Sequence, residues 1–222
     1  MGTFESRSAG LGEAKLPLAL LAALTPVLVL TFIFCEAGQM NWVLEVAPAL
    51  IGFVALAATF RHQPLSRFVY VCVAIHTLIL VYGGYYTYAL TPLGNWAKEA
   101  FDLSRNHYDR IGHLALGFFP VFIIKEVLLR VTPLRRDGWF YFIILSIVLA
   151  IAVFYEFIEW WSTYIFASEV GAAFLGSQGD VWDAQWDMFL GFAGAVLGLL
   201  LLNKVHDSSV AALDARLATR QT

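Results

Sequence analysis

GDVWDAQWDMFLGFAGAVLGLLLL, residues 179–202, begins with three carboxylates and continues as an apolar run. Asp180, Asp183 and Asp187 follow one another at intervals of three and four residues, which places them on one face of a helix. The apolar run is long enough to cross a bilayer. Because a charged group within the bilayer costs about 2.5–3.5 kcal/mol even on a lenient scale, the segment predicts a membrane helix whose acidic end has partners or a function.

The composition of the whole chain agrees with a membrane protein. Of its 222 residues, 59% are hydrophobic and 14% are charged, and the mean hydropathy is +0.70. These values exclude an ordinary soluble domain and predict an all-α, polytopic membrane helical bundle with about six transmembrane helices. The formal net charge of −3 gives no indication of nucleic-acid binding, and we expect none. Cys35 and Cys72 form no CxxC pattern, so they predict neither a metal site nor a disulfide.

Hydropathy divides the chain into membrane helices separated mostly by short loops. We predict six helices at residues 16–35, 42–60, 67–89, 109–130, 139–164 and 181–203. They would form a single transmembrane domain over residues 1–203, followed by a polar cytoplasmic tail over residues 204–222. The first apolar run, about 16–34, is longer than a typical signal-peptide core, so we expect it to be retained as a span. Residues 91–108 and 165–180 are connections long enough to fold over a surface.

The distribution of Lys and Arg predicts the orientation of the bundle. Basic residues occur in the second and fourth loops and in both tails: Arg61, Arg67, Arg130, Arg135, Arg136, Arg7, Lys15, Lys204, Arg216 and Arg220. The first and fifth loops contain none, and in the third loop Lys98 and Arg105 are offset by Glu99 and Asp102. The positive-inside rule therefore predicts that both termini are cytoplasmic and that the first, third and fifth loops face outward.

Three polar segments meet at the same predicted depth. NHYDRIGH (106–113) begins the fourth helix, YEFIEWW (155–161) ends the fifth, and the three aspartates begin the sixth, all on the outer side. Polar residues within each segment recur at helical spacing, and the other helix ends have no comparable set. The candidate site residues are Asp109, Arg110, His113, Glu156, Glu159, Asp183 and Asp187.

This set carries more negative than positive charge. A bound divalent metal ion, protonation of some carboxylates or a water-filled cavity would each compensate for the excess. Carboxylates and an imidazole on facing helices are the usual ligands in helical-bundle metal sites, and one histidine among many oxygens suits Mg, Mn, Fe or Zn more than Cu. The predicted metal ligands are Asp109, His113, Glu156, Glu159, Asp183 and Asp187. Without metal, we expect at least one of the aspartates to be protonated.

Several of these residues also have a purely structural interpretation. Asp180 and Asp109 could be helix N-caps, since aspartate is favoured there. Arg110 could pair with Glu156 or Glu159, and His113 could be a hydrogen-bonded core residue. The tryptophans beside the acids are typical of an interfacial aromatic belt: Trp160, Trp161, Trp182 and Trp186.

Other residues within the predicted spans are weaker candidates. Glu45 and His76 could reach the same cavity, and Lys125 could extend towards the cytoplasmic surface. The glycines of the sixth helix indicate close helix packing: Gly191, Gly194 and Gly198.

Four segments together resemble a known family. GGYYTYALTPLGNW (83–96), NHYDRIGHLALGF (106–118), YEFIEWW and FLGSQGDVWDAQWDM (174–188) resemble the YjdF-like family of bacterial inner-membrane proteins. The resemblance implies a multi-pass location in the bacterial inner (plasma) membrane and implies no particular reaction. More distantly, the order of acidic and histidine motifs is similar to that of VanZ-like membrane proteins, which are linked with glycopeptide resistance.

Three classes of function remain open from the sequence. The first is a metal-dependent enzyme whose carboxylates supply ligands and a general base, whose Arg110 binds an anion, and whose substrate is a lipid or lipid-linked envelope molecule. The second is a proton- or ion-coupled small transporter, and the third is a structural membrane protein whose ion pairs only determine helix packing. Polar groups on one face and the absence of a visible repeat favour the first class over the second. The oligomeric state is not predicted.

Overall fold

The computed structural model describes residues 11–166 and 168–219, so Arg7 and Arg220 of the predicted orientation signal lie outside the described residues. The described residues form nine α-helices, with a short 3₁₀ turn at Tyr88–Leu90. The helices are α1 (Leu11–Phe34), α2 (Gln39–Thr59), α3 (Arg67–Tyr86), α4 (Pro92–Ala100), α5 (Tyr108–Phe118), α6 (Val121–Val131), α7 (Gly138–Ile165), α8 (Ser168–Leu175) and α9 (Asp183–Ala218). Helices α4 and α8 lie within the two long connections.

Within the described ranges, five helices are long and apolar enough to cross a membrane: α1, α2, α3, α7 and α9. This confirms the all-α membrane bundle but differs from the six uninterrupted spans that we predicted. The fourth span, predicted at 109–130, is divided into α5 and α6 because Pro120 has no N–H to donate to the helical ladder. The backbone stays in the αR region at Phe119 and Pro120, so α5 and α6 together extend for roughly 36 Å at about 1.5 Å per residue. That length exceeds the ~30 Å hydrocarbon core.

Helix α9 is longer than the predicted sixth span. It continues without a break past residue 203, and its extension buries His206, Leu213 and Leu217. The division into a membrane domain over 1–203 and a tail over 204–222 stays a prediction. Helix α9 neither ends nor breaks between residues 203 and 204.

The surface and the core are both apolar. Large side chains such as Val54, Tyr164 and Leu200 are more than two-thirds exposed, whereas a core of interlocking residues joins α3, α6, α7 and α9 around Val69, Phe122 and Ile144. An apolar surface of this extent suits contact with lipid rather than water.

Glycines bring the backbones of α5 and α9 into contact. A Cβ atom added to Gly117 would lie 1.7 Å from the carbonyl oxygen of Gly191, and one added to Gly194 would lie 2.0 Å from the carbonyl oxygen of Leu114. The close packing predicted for the glycines of the sixth span is therefore confirmed. Since α5 and α6 run in the same direction as α9, this glycine seam aligns the beginning of α5 with the beginning of α9.

Candidate functional site

One histidine and four acids from three helices meet where α5 and α9 begin and α7 ends. We call this set the carboxylate–histidine cluster: Asp109, His113, Glu156, Glu159 and Asp187. The Nε2 atom of His113 lies 3.5 Å from Asp109 Oδ1 and 3.7 Å from Glu159 Oε1, and its Nδ1 atom lies 3.7 Å from Glu156 Oε1. All five residues are buried, so the predicted convergence of the fourth, fifth and sixth spans is present.

The cluster contains two overlapping sets of ligand atoms. Asp109, His113 and Asp187 form one set, and His113, Glu156 and Glu159 form the other, with the ligand atoms of each set within 4.8 Å of one another. Metal–ligand bonds of about 2.0–2.6 Å span such distances across one ion. Carboxylate oxygens and one imidazole fit a hard or borderline divalent cation. Metal binding by this cluster stays a prediction.

Several polar atoms of this region are left without hydrogen bonds. His113 Nδ1, Glu156 Oε1, Asp187 Oδ1 and Glu45 Oε1 are buried and have no hydrogen-bond partner among the residues that the structure describes. A buried polar atom without a partner costs about 1–3 kcal/mol, and a charged one costs more. Four such atoms close together indicate a place where an ion, water or protons complete the bonding.

Glu45 of α2 joins this region, as the sequence suggested. A cavity of only about 10 Å³ lies between the helices, lined by residues that include Glu45, Asp109, His113, Tyr155 and Glu159. That volume is about the size of one water-sized sphere. The cluster as it stands therefore has room for an ion or a water molecule and none for an organic substrate.

Asp183 is held by an arginine that sequence reasoning did not select. Arg105 is 5% exposed, donates to Asp183 Oδ1 and to the carbonyl oxygen of Gly176, and lies 3.7 Å from Asp109 Oδ2. The sequence indicates only that Arg105 belongs to the third loop, where Glu99 and Asp102 offset the basic charge. Asp183 pairs with Arg105 and belongs to neither set of ligand atoms, and its role as a metal ligand stays a prediction.

Arg110 pairs with Asp180 and with neither glutamate, so the suggested structural pair with Glu156 or Glu159 is wrong. Its Nη2 atom lies 2.6 Å from Asp180 Oδ2, and its guanidinium lies 5.3 Å from the ring centroid of Trp186. Arg110 also donates to Nδ1 of His107 at 3.3 Å. Burial and the charges of Arg110 and Arg105 lower the pKa of His107 from its ordinary value. Arg110 thus lies beside the cluster, closer to the surface.

Neither Asp109 nor Asp180 is the N-cap residue of a helix, so the suggested capping roles are wrong. Helix α9 begins at Asp183 without a side-chain cap, and Asp180 Oδ1 instead accepts a hydrogen bond from the N–H of Trp182 in the preceding turn. Asp109 lies in the first turn of α5 and belongs to the cluster.

The two long connections are bonded together over the cluster. The backbone N–H of Asn106 donates to Gln178 Oε1 at 3.0 Å, and Gln178 Nε2 donates back to the carbonyl oxygen of Asn106 at 2.8 Å. The side chain of Asn106 bonds to Thr91 and Asn95. Gln178 has a positive φ of 48° between Gly176 and Gly179, whose φ values are also positive, so a tight turn presents it. These bonds hold the segment that carries Arg105 and Asp109 in position.

His76 does not reach the cluster. It lines a separate apolar cavity and stacks on Phe119, with ring centroids 6.0 Å apart. The four tryptophans predicted as an interfacial belt are 43–63% exposed at the cluster end, which is compatible with that prediction.

The opposite end of the bundle has a second buried polar set, contrary to our expectation that the other helix ends had none. We call it the Lys125 cluster: Lys125, Glu126, His206 and Asp207. Lys125 donates to Asn203 and, at 2.6 Å, to Asp207 Oδ1, so it does not extend to the surface as suggested. Glu126 accepts from the N–H of Ser66 at 2.7 Å and lies 3.2 Å from His206 Nε2. Lys125, Glu126 and His206 have no exposed surface.

Comparison with known proteins agrees with the fold and adds no reaction. The chain matches the family model described as "Predicted membrane protein (DUF2238)" over residues 16–208. It is 39% identical over 187 residues to the inner membrane protein YjdF of Escherichia coli (strain K12), an alignment that covers 83% of this chain and 88% of that protein. No solved structure matches the chain.

These findings confirm the resemblance to the YjdF-like family, while the likeness to VanZ-like proteins stays a prediction. Together with the apolar helices, they identify a multi-pass protein that lies in the lipid bilayer of the bacterial inner membrane. The chain belongs to the DUF2238 family of predicted membrane proteins.

Proposed function

We propose that the protein binds a divalent cation in the carboxylate–histidine cluster and acts as a metal-dependent enzyme on a lipid or lipid-linked envelope substrate. One observation supports this proposal above all others. Three helices bring an imidazole and four carboxylates together inside an apolar bundle, and three of these side chains have an oxygen or nitrogen without a partner. Burial of ionisable side chains in an apolar bundle costs free energy, and such a site is typical of function rather than of packing alone.

The charge balance of the cluster favours a cation. The four acids of the cluster are opposed by His113 and, at Asp109 alone, by Arg105, whose guanidinium lies 3.7 Å from Asp109 Oδ2 and pairs more closely with Asp183. Four buried carboxylates in low dielectric repel one another strongly. A divalent ion would offset that repulsion and supply partners for the unpaired atoms at the same time.

The side chains divide into natural roles around such an ion. His113, Asp109 and Asp187 form one ligand set. Glu156 and Glu159 belong only to the other set, so when the first set holds the ion, a glutamate carboxylate is left to act as a general base. The bound ion would supply Lewis acidity or an activated water. Arg110, whose side chain is 22% exposed, lies nearer the surface and is suited to bind a phosphate or another anionic head group.

The location of the cluster supports a membrane-derived substrate. In the predicted orientation it lies at the outward end of the bundle, at the depth of lipid head groups. Since its cavity is only about 10 Å³, substrate access requires movement of a wall residue or of the connections that cover it.

Metal content is the direct test. Purified protein in detergent, the His113→Ala variant and the Asp187→Asn variant are analysed by inductively coupled plasma mass spectrometry after incubation with Mg, Mn, Fe or Zn and gel filtration. We expect near-stoichiometric metal in the wild type and its loss in both variants. His206→Ala is the matched control, because it also removes a buried histidine from the same helix pair but leaves the cluster intact. A folded wild type that retains none of these metals contradicts the proposal.

The Lys125 cluster favours one alternative, a proton- or ion-coupled transporter. Transporters need polar groups along the route across the membrane, and this protein buries titratable groups at both ends of the α5–α6 and α9 pair. Proteoliposomes with an internal pH dye test this alternative. Proton flux that is lost in both His113→Ala and Glu126→Gln would favour a carrier, whereas absence of both flux and metal would leave a structural role.

A further inference from the structure

An apolar groove runs along the bundle between α2 on one side and α6 and α7 on the other. Its volume is about 450 Å³, which is in the range of ligand-binding cavities. Helices α3 and α5 complete its wall, and most of the lining residues are apolar. Representative lining residues are Gly52, Leu56, Leu116, Ile123, Val127 and Tyr155.

The groove is longer than one leaflet. It is lined from Leu116 in α5 to Val131 at the end of α6, a distance of roughly 22 Å at about 1.5 Å per residue. Half of the hydrocarbon core measures only ~15 Å. A chain that fills the groove from one end therefore passes the bilayer midplane, which an ordinary phospholipid tail confined to its own leaflet does not do.

The groove ends against the carboxylate–histidine cluster. Leu116 and Tyr155 line both the groove and the small cavity of the cluster. The Tyr155 ring contacts the His113 ring edge to face, with centroids 5.8 Å apart. One layer of side chains thus separates the apolar groove from the candidate metal ligands. At its other end the groove reaches Arg130, whose Nε and Nη1 atoms lie 3.1 Å and 3.3 Å from carboxylate oxygens of Glu126 and Asp214. Two acids thus offset its charge, although its buried Nη2 atom has no hydrogen-bond partner in the described part of the chain.

We propose that the groove holds one long hydrocarbon chain of a polyprenyl-phosphate-type lipid, with its phosphate at the Tyr155 end beside the cluster. The position of the phosphate rests on the proposed function, because only a bound cation makes the acidic cluster attractive to an anion. The chain itself is selected by the apolar lining and by the length of the groove. A phospholipid tail that stays within one leaflet is too short to fill that length.

Photocrosslinking in lipid nanodiscs tests the proposal. The probe is a polyprenyl phosphate with a diazirine in its chain, and crosslinked peptides are mapped by mass spectrometry. We expect labelling of the groove-lining parts of α2 and α6, competed by unlabelled polyprenyl phosphate and unaffected by a large excess of phospholipid. In Gly52→Phe the labelling should fall about tenfold, since a Cβ atom at Gly52 meets no atom within 4 Å and the new ring can enter the groove without displacing the helix.

The matched control is Ile51→Phe, which adds the same ring to the 68%-exposed side chain next to Gly52 and should leave the labelling unchanged. Equal labelling of wild type and Gly52→Phe, or equal competition by phospholipid, would overturn the proposal. Metal content is measured on the same samples. If groove labelling is specific but no metal is bound, the groove does bind the hydrocarbon chain and the proposed metal-dependent function fails. If metal is bound but the groove is not labelled, the metal site is supported and the groove proposal fails.

Discussion

At the residue scale, the difference between Arg105 and Arg110 shows how the site is organised. Both lie near the acids in sequence, but Arg105 is buried against Asp183 and Asp109, whereas Arg110 lies at the edge with Asp180 and Trp186. Arg105 therefore neutralises the acid at the first position of α9 and leaves the deeper acids of the cluster without a guanidinium. The division separates a structural ion pair from the candidate ligands.

We predict that Arg105→Ala destabilises the protein by about 3 kcal/mol. The substitution leaves the Asp183 carboxylate, whose side chain is 10% exposed, buried without its cation. The measurement is thermal unfolding in detergent, followed by tryptophan fluorescence, compared with Lys98→Ala. Lys98 is an exposed residue of α4 in the same connection, and its removal should change the free energy of unfolding by about 0.5 kcal/mol or less.

The double variant Arg105→Ala/Asp183→Asn separates charge from packing. Because the second substitution removes the orphaned carboxylate, it should recover part of the lost stability. If the double variant loses as much unfolding free energy as the two single variants lose together, the pair contributes through packing and the charge argument fails.

At the element scale, the glycine seam between α5 and α9 determines which side chains meet. A Cβ atom at Gly117 would lie 1.7 Å from the carbonyl oxygen of Gly191, so any side chain at Gly117 would displace one helix. The seam lies one to two turns below His113 and Asp187, so a shift of either helix changes the geometry of the ligands. Close packing here is thus part of the candidate site.

We predict that Gly194→Ala destabilises the bundle by about 1–3 kcal/mol and weakens metal binding. A Cβ atom at Gly194 would lie 2.0 Å from the Leu114 carbonyl oxygen, and backbone atoms cannot move aside as a flexible side chain can. Thermal unfolding and metal content are both measured. The control is Gly52→Ala, whose added methyl group meets open space and should be neutral or stabilising by up to about 1 kcal/mol. Equal effects of the two substitutions would show that the seam is not a constraint.

Hydropathy predicted the positions of the long helices well because burial in lipid demands continuous apolar runs. It did not predict the interruption at Pro120, where the chain stays helical in direction but loses a hydrogen bond. The helical spacing of the acids predicted the carboxylate–histidine cluster. Arg105 and the Lys125 cluster were missed because most of their hydrogen-bond partners lie 60–82 residues away in the chain, beyond any local pattern.

At the scale of the whole molecule, polar groups occupy both ends of an apolar bundle. The carboxylate–histidine cluster is at one end, and the Lys125 cluster, with Arg130 and Arg136 bonded to its acids, is at the other. The positive-inside rule predicts that the end with the basic residues faces the cytoplasm. Helices α5 and α6 run beside α9 in the same direction. If α9 crosses the membrane, the α5–α6 pair therefore crosses it too, and in the same direction.

We therefore predict six crossings, with the cluster end outward and both termini cytoplasmic. Single cysteines are introduced at the exposed residues His62, Glu99 and Pro133 after Cys35 and Cys72 have been changed to Ser and Ala. A membrane-impermeant maleimide applied to intact spheroplasts should label Glu99→Cys, and it should label the other two variants only after lysis. Glu99 lies between α3 and α5, whereas His62 and Pro133 lie in the second and fourth loops, where the basic residues concentrate.

Each result of this labelling experiment has a structural meaning. Labelling of Glu99→Cys and Pro133→Cys from the same side would mean that α5 and α6 do not cross the bilayer, and the five helices that are individually long enough would be the only crossings among the described residues. Labelling of His62→Cys and Pro133→Cys alone in spheroplasts would invert the molecule and turn the carboxylate–histidine cluster towards the cytoplasm. The substrate would then have to come from the inner leaflet, so the orientation decides which lipids the candidate site can meet.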